Sequence, residues 1–339
     1  MRTSPSAGLA RARGDPLPRA ADAEDNPRGE LFFGDAGLAD PEHPAAFSGP
    51  SLQRRLLAAL DRGAARRALD AAEADGRWDD HLRLREVAHP GCDHGWLWAL
   101  SPAHGPCLDG DEFAMAMRIR LGADLAELPV LCGRCQQQVM RGPCLPALNC
   151  GGSGEAEGHN RVRDALHLVA SAGDPSACLE PSGLLPSRPA RRPADLLTHA
   201  AGWTGGCAAL DVGVASPWAT EAGDDACASM VRRKLRQSAP WAAEAREAGL
   251  DYVPVVFSAL GRPHEEASAV LGRLARRAAR RQGLGSPAVT LRRLRCRVGV
   301  EVMRRAVAVF RSCLPGGCDA TDDLEDGSPC GGALAAAGV

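Results

Sequence analysis

The chain has 339 residues, a formal net charge of −2 and 4% aromatic residues, so a hydrophobic core and two domains of ordinary size fit, packed mainly by Leu, Val and Ala. It has no apolar run of about 18 residues that a membrane-spanning helix needs, and its first thirty residues have no apolar segment of a secretory signal. The expectation is an intracellular protein.

Residues 1 to 50 are rich in Pro, Gly, Ala and acids without periodicity, as are residues 314 to 339, and both are expected to be disordered. From Ser51 to Val87 the leucines Leu52, Leu56, Leu57 and Leu60 keep helical spacing, continued through an Ala-rich segment to Leu69, which predicts a helical hairpin. Asp109 and Glu112 are spaced as a capping box ahead of Phe113, Met117 and Leu121, so a further helix begins there. These make a helical region over 51–130. Residues 131–158, rich in Gly, Pro and Cys, separate it from a mixed α/β pattern over 159–313. That pattern runs as an amphipathic helix (His159 to Ala172) and three short strands (Ala177–Glu180, Ala194–Thr198, Ala209–Ala215). A helix then spans Asp225 to Ala248 with a break at Pro240, followed by a strand, Tyr252–Ser258, and two Arg-studded helices, 264–282 and 290–313.

Thirteen cysteines are an odd number for a disulfide framework in a chain of this size, and four of them fall within twenty residues. Cys132, Cys135, Cys144 and Cys150 read C-x2-C-x8-C-x5-C in a Gly/Pro loop, a spacing that lets paired thiolates bind tetrahedral Zn(II). Such an ion would supply folding energy to a segment with few apolar residues. The competing reading is four unpaired cysteines in a composition that scatters cysteine widely. His159 could replace one ligand or simply open its helix at the surface.

Asp195 and Asp211 each lead a short apolar run. On adjacent strands two such carboxylates make a hard oxygen site for Mg(II) or Mn(II), which Glu180 and Asp164 could complete. A metal so held polarises a phosphoryl oxygen and lowers the pKa of an attacking water. Taken singly, an Asp near a strand end more often marks a turn. The order Glu180, Asp195, Asp211, Lys234 is more informative, because Lys234 is the only lysine among 40 basic residues and a compact ammonium suits a place beside a scissile phosphate. No G-x-S-x-G elbow occurs, GGSG at 151–154 lacks the Lys of a phosphate loop, and His81, His89, His94 and His104 have no ligand spacing.

Charge is polarised along the chain. Residues 226 to 313 hold eighteen basic against six acidic side chains, a net +12 that leaves −14 elsewhere. Phosphate-backbone binding needs such a block, although arginines on helices are also an ordinary solvated face.

From about Trp96 to Cys313 the chain resembles the region after the reverse transcriptase in non-LTR retrotransposon polyproteins, where a Cys/His zinc knuckle precedes a restriction-endonuclease-like domain of the PD-(D/E)xK class. The resemblance rests on WLWALSP (96–102), DEFAMAMRIRLG (111–122), the four cysteines, HNRVRDAL (159–166), EPSGL (180–184), RPADLLT (192–198), LDVGVASP (210–217), Lys234 and YVPVVFSALG (252–261). It implies a restriction-endonuclease-like core, a small mixed sheet flanked by helices, preceded by a small helical region and a zinc knuckle. It also implies that Asp195 and Asp211 bind Mg(II), with Glu180 assisting, and that Lys234 is the catalytic lysine. That lysine ordinarily stands two residues after the second acid, where this chain has Gly213. Cys144 takes the place of the usual knuckle His, and Ser258 a place often acidic. Arg232, Arg233, Arg273, Arg276, Arg277, Arg280, Arg281, Arg292 and Arg293 are then expected to contact DNA, or RNA, in the nucleus. With no polymerase region in the sequence, a reverse transcriptase would be a separate partner. The expected activity is metal-dependent cleavage or nicking of DNA. The alternatives are a zinc-containing, nucleic-acid-binding relic of a retroelement that does not cut, and a translated remnant without a selected role.

Overall fold

A computed structural model describes residues 52–99, 106–136, 139–150, 155–202, 206–283 and 286–314. The expected leader, and the expected tail beyond Leu314, lie outside them. The first two helices, α1 (Leu52–Ala74) and α2 (Trp78–Ala88), meet at a turn in which Gly76 takes φ +67, a left-handed stop that glycine accepts without steric cost. From Ala68 onward the described residues belong to one unit.

Helix α3 (Gly110–Leu121) starts as its sequence requires. The Asp109 carboxylate accepts the Glu112 N–H at 2.7 Å, the Glu112 carboxylate accepts the Asp109 N–H at 3.1 Å, and Gly122 ends the helix at φ +66. The expected helical region ends in a strand. β1 (Ala126–Leu131) and β2 (Val139–Gly142) form an antiparallel hairpin around Cys132 and Cys135, and a 3-10 turn, Leu145–Asn149, follows.

Helix α4 (Glu155–Gly173) leads into the main sheet, made of β3 (Cys178–Leu179), β4 (Leu196–Thr198), β5 (Cys207–Ala215) and β6 (Leu250–Ser258) in that spatial order. β3, β4 and β5 pair antiparallel in turn, while β6 runs parallel to β5 after a crossover through α5 (Ala226–Ser238) and α6 (Ala242–Glu247). Pro240 falls in the 3-10 turn between those helices, where its missing N–H does no harm. Pro254 is tolerated in β6 because this is an edge strand. Two helices, α7 (Glu265–Gln282) and α8 (Pro287–Cys313), close the fold. The class is mixed α/β.

Alternation along β5 sorts the layers. Ala208, Leu210 and Val212 face α4, α7 and α8, packing on Val162, Leu166, Val270, Leu274 and Val298. On the opposite face Ala215 packs with Val231 of α5, and Cys207 lies against a cluster containing Trp241 and Ala245. Helix α8 serves two cores, because Leu294, Val298 and Val302 lie on the sheet whereas Met303, Val307 and Phe310 pack with Trp96, Ile119 and the buried cysteines.

Candidate active site

Leu196 pairs with Leu210, so Asp195, one residue before β4, stands opposite Asp211 in the middle of β5. Its N–H donates to the carbonyl of Leu210, the residue before Asp211, at 3.0 Å, which ties it to β5. Directly opposite residues of an antiparallel pair project to the same face, and the two aspartates thereby share the α5 side of the sheet. Beyond this point β4 has ended, and among the described residues no strand pairs with Val212 to Ala215 of β5 on that edge. The Asp195 side chain stands in for the missing strand, accepting the Val212 N–H at 2.7 Å.

Each carboxylate oxygen has a donor. His159, near the start of α4, places Nε2 3.2 Å from Asp195 Oδ1. Lys234 Nζ lies 2.5 Å from Asp211 Oδ1, and the Tyr252 hydroxyl of β6 donates to Asp211 Oδ2. Burial opposes ionisation of Asp195, but the His159 contact, the Val212 N–H and the Lys234 charge outweigh it and hold its pKa below the usual carboxylate value. Burial, and then the Asp211 carboxylate, push the Tyr252 phenol well upward, so it stays a neutral donor.

Gly213 explains how a lysine on α5 reaches a β5 acid. A Cβ there would lie 2.9 Å from Lys234 Cε and 2.6 Å from Met230 Sδ. The empty side-chain position two residues after Asp211 is therefore filled by the stem of Lys234. His159, Gly213, Arg233, Lys234 and Arg305 line a cleft of about 320 Å³, bounded at one end by Leu148 and Asn149. Asp195 and Asp211, with Arg191, Arg192, Trp241 and Tyr252, line a second hollow of about 140 Å³.

The other expected residues divide. Glu180, at φ +44, donates its N–H to the Asp195 carbonyl, but its carboxylate is ion-paired with Arg163 and Arg192. Among the described residues it forms no three-membered metal-binding group with the two aspartates. Asp164 also pairs with Arg163 and is half-exposed. Arg232 and Arg233 share α5 with Lys234 and border a surface hollow. In contrast, Arg273, Arg276, Arg277, Arg280 and Arg281 lie on α7, which covers the opposite face of the sheet, and Arg292 and Arg293 are exposed near the start of α8. Ser258, the last residue of β6, is buried, its Oγ accepting the Leu260 and Arg262 N–H groups of the turn that follows.

The structure redraws the cysteine group. Cys132, Cys150 and Cys313 are buried with Sγ atoms all within 4.8 Å of one another, the first two 3.7 Å apart, a thiol set that can hold a metal ion. Of the other two expected ligands, Cys135 is not among them, and neither is Cys144. It takes φ +52 and its Sγ donates to the Gly142 carbonyl at 3.3 Å. Cys135 is half-buried beside the same core. The spacing of Cys132, Cys135, Cys144 and Cys150 carries no hint of Cys313, which arrives from the far end of α8. His159 and Tyr252 were equally unmarked in the acid site, although HNRVRDAL and YVPVVFSALG contain them. No protein-family model, curated protein or solved structure matches the chain.

Proposed function

We propose that this chain is a metal-dependent DNA endonuclease, with the restriction-endonuclease-like core and cleavage site that the resemblance to non-LTR retrotransposon polyproteins implies. The observation that carries the reading is the seating of Lys234: its stem fills the space over Gly213 and its ammonium meets Asp211, which itself stands across one rung from Asp195. A charged residue in the middle of a strand otherwise made of Cys, Ala, Leu, Val and Gly is costly to bury unless it is paired or used. Here it opens onto a hollow. The order helix, three antiparallel strands, crossover helices and a parallel strand agrees with that core.

The donor set suits a divalent cation. Asp195 and Asp211 offer hard oxygens on one face, each oxygen using one lone pair toward its present donor and retaining another. Bound there, Mg(II) or Mn(II) supplies Lewis acidity toward a phosphoryl oxygen and toward the attacking water. The chain's own residues do the rest. His159 and the Val212 N–H hold Asp195 ionised and oriented, Tyr252 fixes Asp211, and the Lys234 ammonium balances charge developing on the scissile phosphate. Arg191, Arg192, Arg232 and Arg233 on the rims hold the phosphate backbone.

One observation favours a second reading, a nucleic-acid-binding protein that does not cut: Glu180 is locked by Arg163 and Arg192, leaving two acids where three were expected. Plasmid nicking with Mg(II) or Mn(II) separates the two. Wild type is expected to nick, and Asp195→Ala and Lys234→Ala to lose about a thousandfold in rate, the scale of removing one electrostatic stabiliser. Nicking that survives both substitutions rejects the site, and DNA retention without nicking by wild type selects the second reading.

A further inference from the structure

The cysteine group points to a metal centre whose ligands the sequence spacing does not pair. Cys132 opens the turn after β1, Cys150 ends the 3-10 turn Leu145–Asn149, and Cys313 is the last residue of α8. Their three sulfurs converge within 4.8 Å in a buried, largely apolar setting. The backbone is built around the same point. Gly133 N–H donates to the Cys313 carbonyl at 2.7 Å, and a Cβ on Gly133 would sit 3.0 Å from the Leu314 carbonyl oxygen, so the hairpin turn lies flat against the end of α8. A disulfide between Cys132 and Cys150 would leave the Cys313 thiol buried beside it without a role.

We propose that Cys132, Cys150 and Cys313 ligate one Zn(II), with Cys135 of the same turn as Cys132 as the fourth ligand and Cys144 outside the coordination shell. Thiolates select zinc over the hard cation of the acid site, and a closed four-sulfur shell is the structural rather than the catalytic form. Zinc binding releases the thiol protons to solvent and turns a packing contact into a coordinate bond. The ion thereby clamps the C-terminus of α8 to the β1–β2 hairpin. Because α8 also packs on the main sheet, the clamp ties the hairpin region to that sheet through one helix. The assignment is independent of whether the chain cuts DNA.

The test uses the full chain, purified under reducing conditions, with bound zinc counted by elemental analysis and the Co(II)-substituted protein examined by absorption. Wild type and Cys144→Ser are each expected to hold one zinc per chain, with the same thiolate-to-cobalt charge-transfer intensity per ion. Cys313→Ser is expected to lose the ion and Cys313→His to regain it. Cys144→Ser alone decides the ligand set even where Cys313→Ser fails to fold, because loss of zinc, or a charge-transfer band weaker by one thiolate, from that variant overturns the proposal. Zinc retained by Cys313→Ser at wild-type affinity, or reduced wild type that binds none, overturns it equally.

Discussion

Two ion clusters in this molecule use the same chemistry for opposite ends. In the first, Arg262 is almost fully buried and its guanidinium is spanned by two carboxylates: Glu86 of α2 accepts at 2.8 and 2.9 Å, and Asp225, the N-cap of α5, accepts at 2.9 and 3.1 Å. The planar fork has matched partners on both sides. In the second, Lys234, Asp211 and Asp195 stand where a strand has run out, with one hollow lined by both acids and a cleft lined by Lys234. The lesson is geometric. A closed cluster with bidentate arginine is a fastening, whereas a compact ammonium beside two acids at an open strand edge leaves lone pairs directed at a space that a ligand can enter.

The largest effect that would sharpen this contrast is on stability. Arg262→Ala strands two carboxylates, one of them buried in Glu86, and is expected to cost about 3–5 kcal/mol in urea unfolding. Lys234→Ala is expected to cost about 1 kcal/mol or less, since Asp211 keeps its Tyr252 donor and solvent access. Equal losses from the two substitutions would erase the distinction between fastening and site.

A third acid shows what ionisation contributes without any cation. Burial would raise the pKa of Asp174, but the hydroxyls of Ser176 and Thr198 and the N–H groups of His199 and Ser176 together bring it down to about 2. The folded value lies below the ordinary 3.8, so the stabilisation is complete above about pH 4 and disappears as pH falls toward 2. Asp174→Asn is expected to lose roughly 2 kcal/mol at pH 7. Its deficit relative to wild type should shrink steadily in unfolding curves taken between pH 4 and 2, and a pH-independent deficit would assign Asp174 a packing role instead.

Most of the elements were legible because local rules govern them. The capping box at Asp109, the apolar stripe of α4 and the break at Pro240 each act within a few residues. The pairing of Asp195 with Asp211 was legible as an idea, two acids leading neighbouring strands, but its register depends on where β4 ends. Three things were not readable. His159 and Tyr252 reach the acids from elements distant in sequence, and a lone His or Tyr carries no periodic signal. Cys313 joins Cys132 only because α8 is long enough to run from the sheet to the hairpin. The basic block looked like one surface because charge was counted along the chain, yet α5 and α7 flank opposite faces of the sheet, which puts Arg232 and Arg233 on the helix that carries Lys234 and Arg276 and Arg277 on the other side.

The smallest expected effect is the sharpest test of the open site. If the ammonium matters for where it sits rather than for the helix that bears it, a lysine on β5 should replace one on α5. In wild type a side chain at 213 collides with Met230 and with the Lys234 stem, so Gly213→Lys alone should lower nicking by displacing that amine. Lys234→Ala removes the Cε that blocks the position and leaves the end of a flexible Met230 side chain to move. The double variant Gly213→Lys with Lys234→Ala is therefore expected to recover about tenfold in nicking rate over Lys234→Ala alone, about 1.4 kcal/mol of transition-state stabilisation. Gly213→Met with Lys234→Ala, which fills the same space without a charge, should recover nothing. Rescue by methionine would mean that Lys234 acts by packing, and the likeness between this cluster and the Arg262 fastening would then be closer than their exposure suggests.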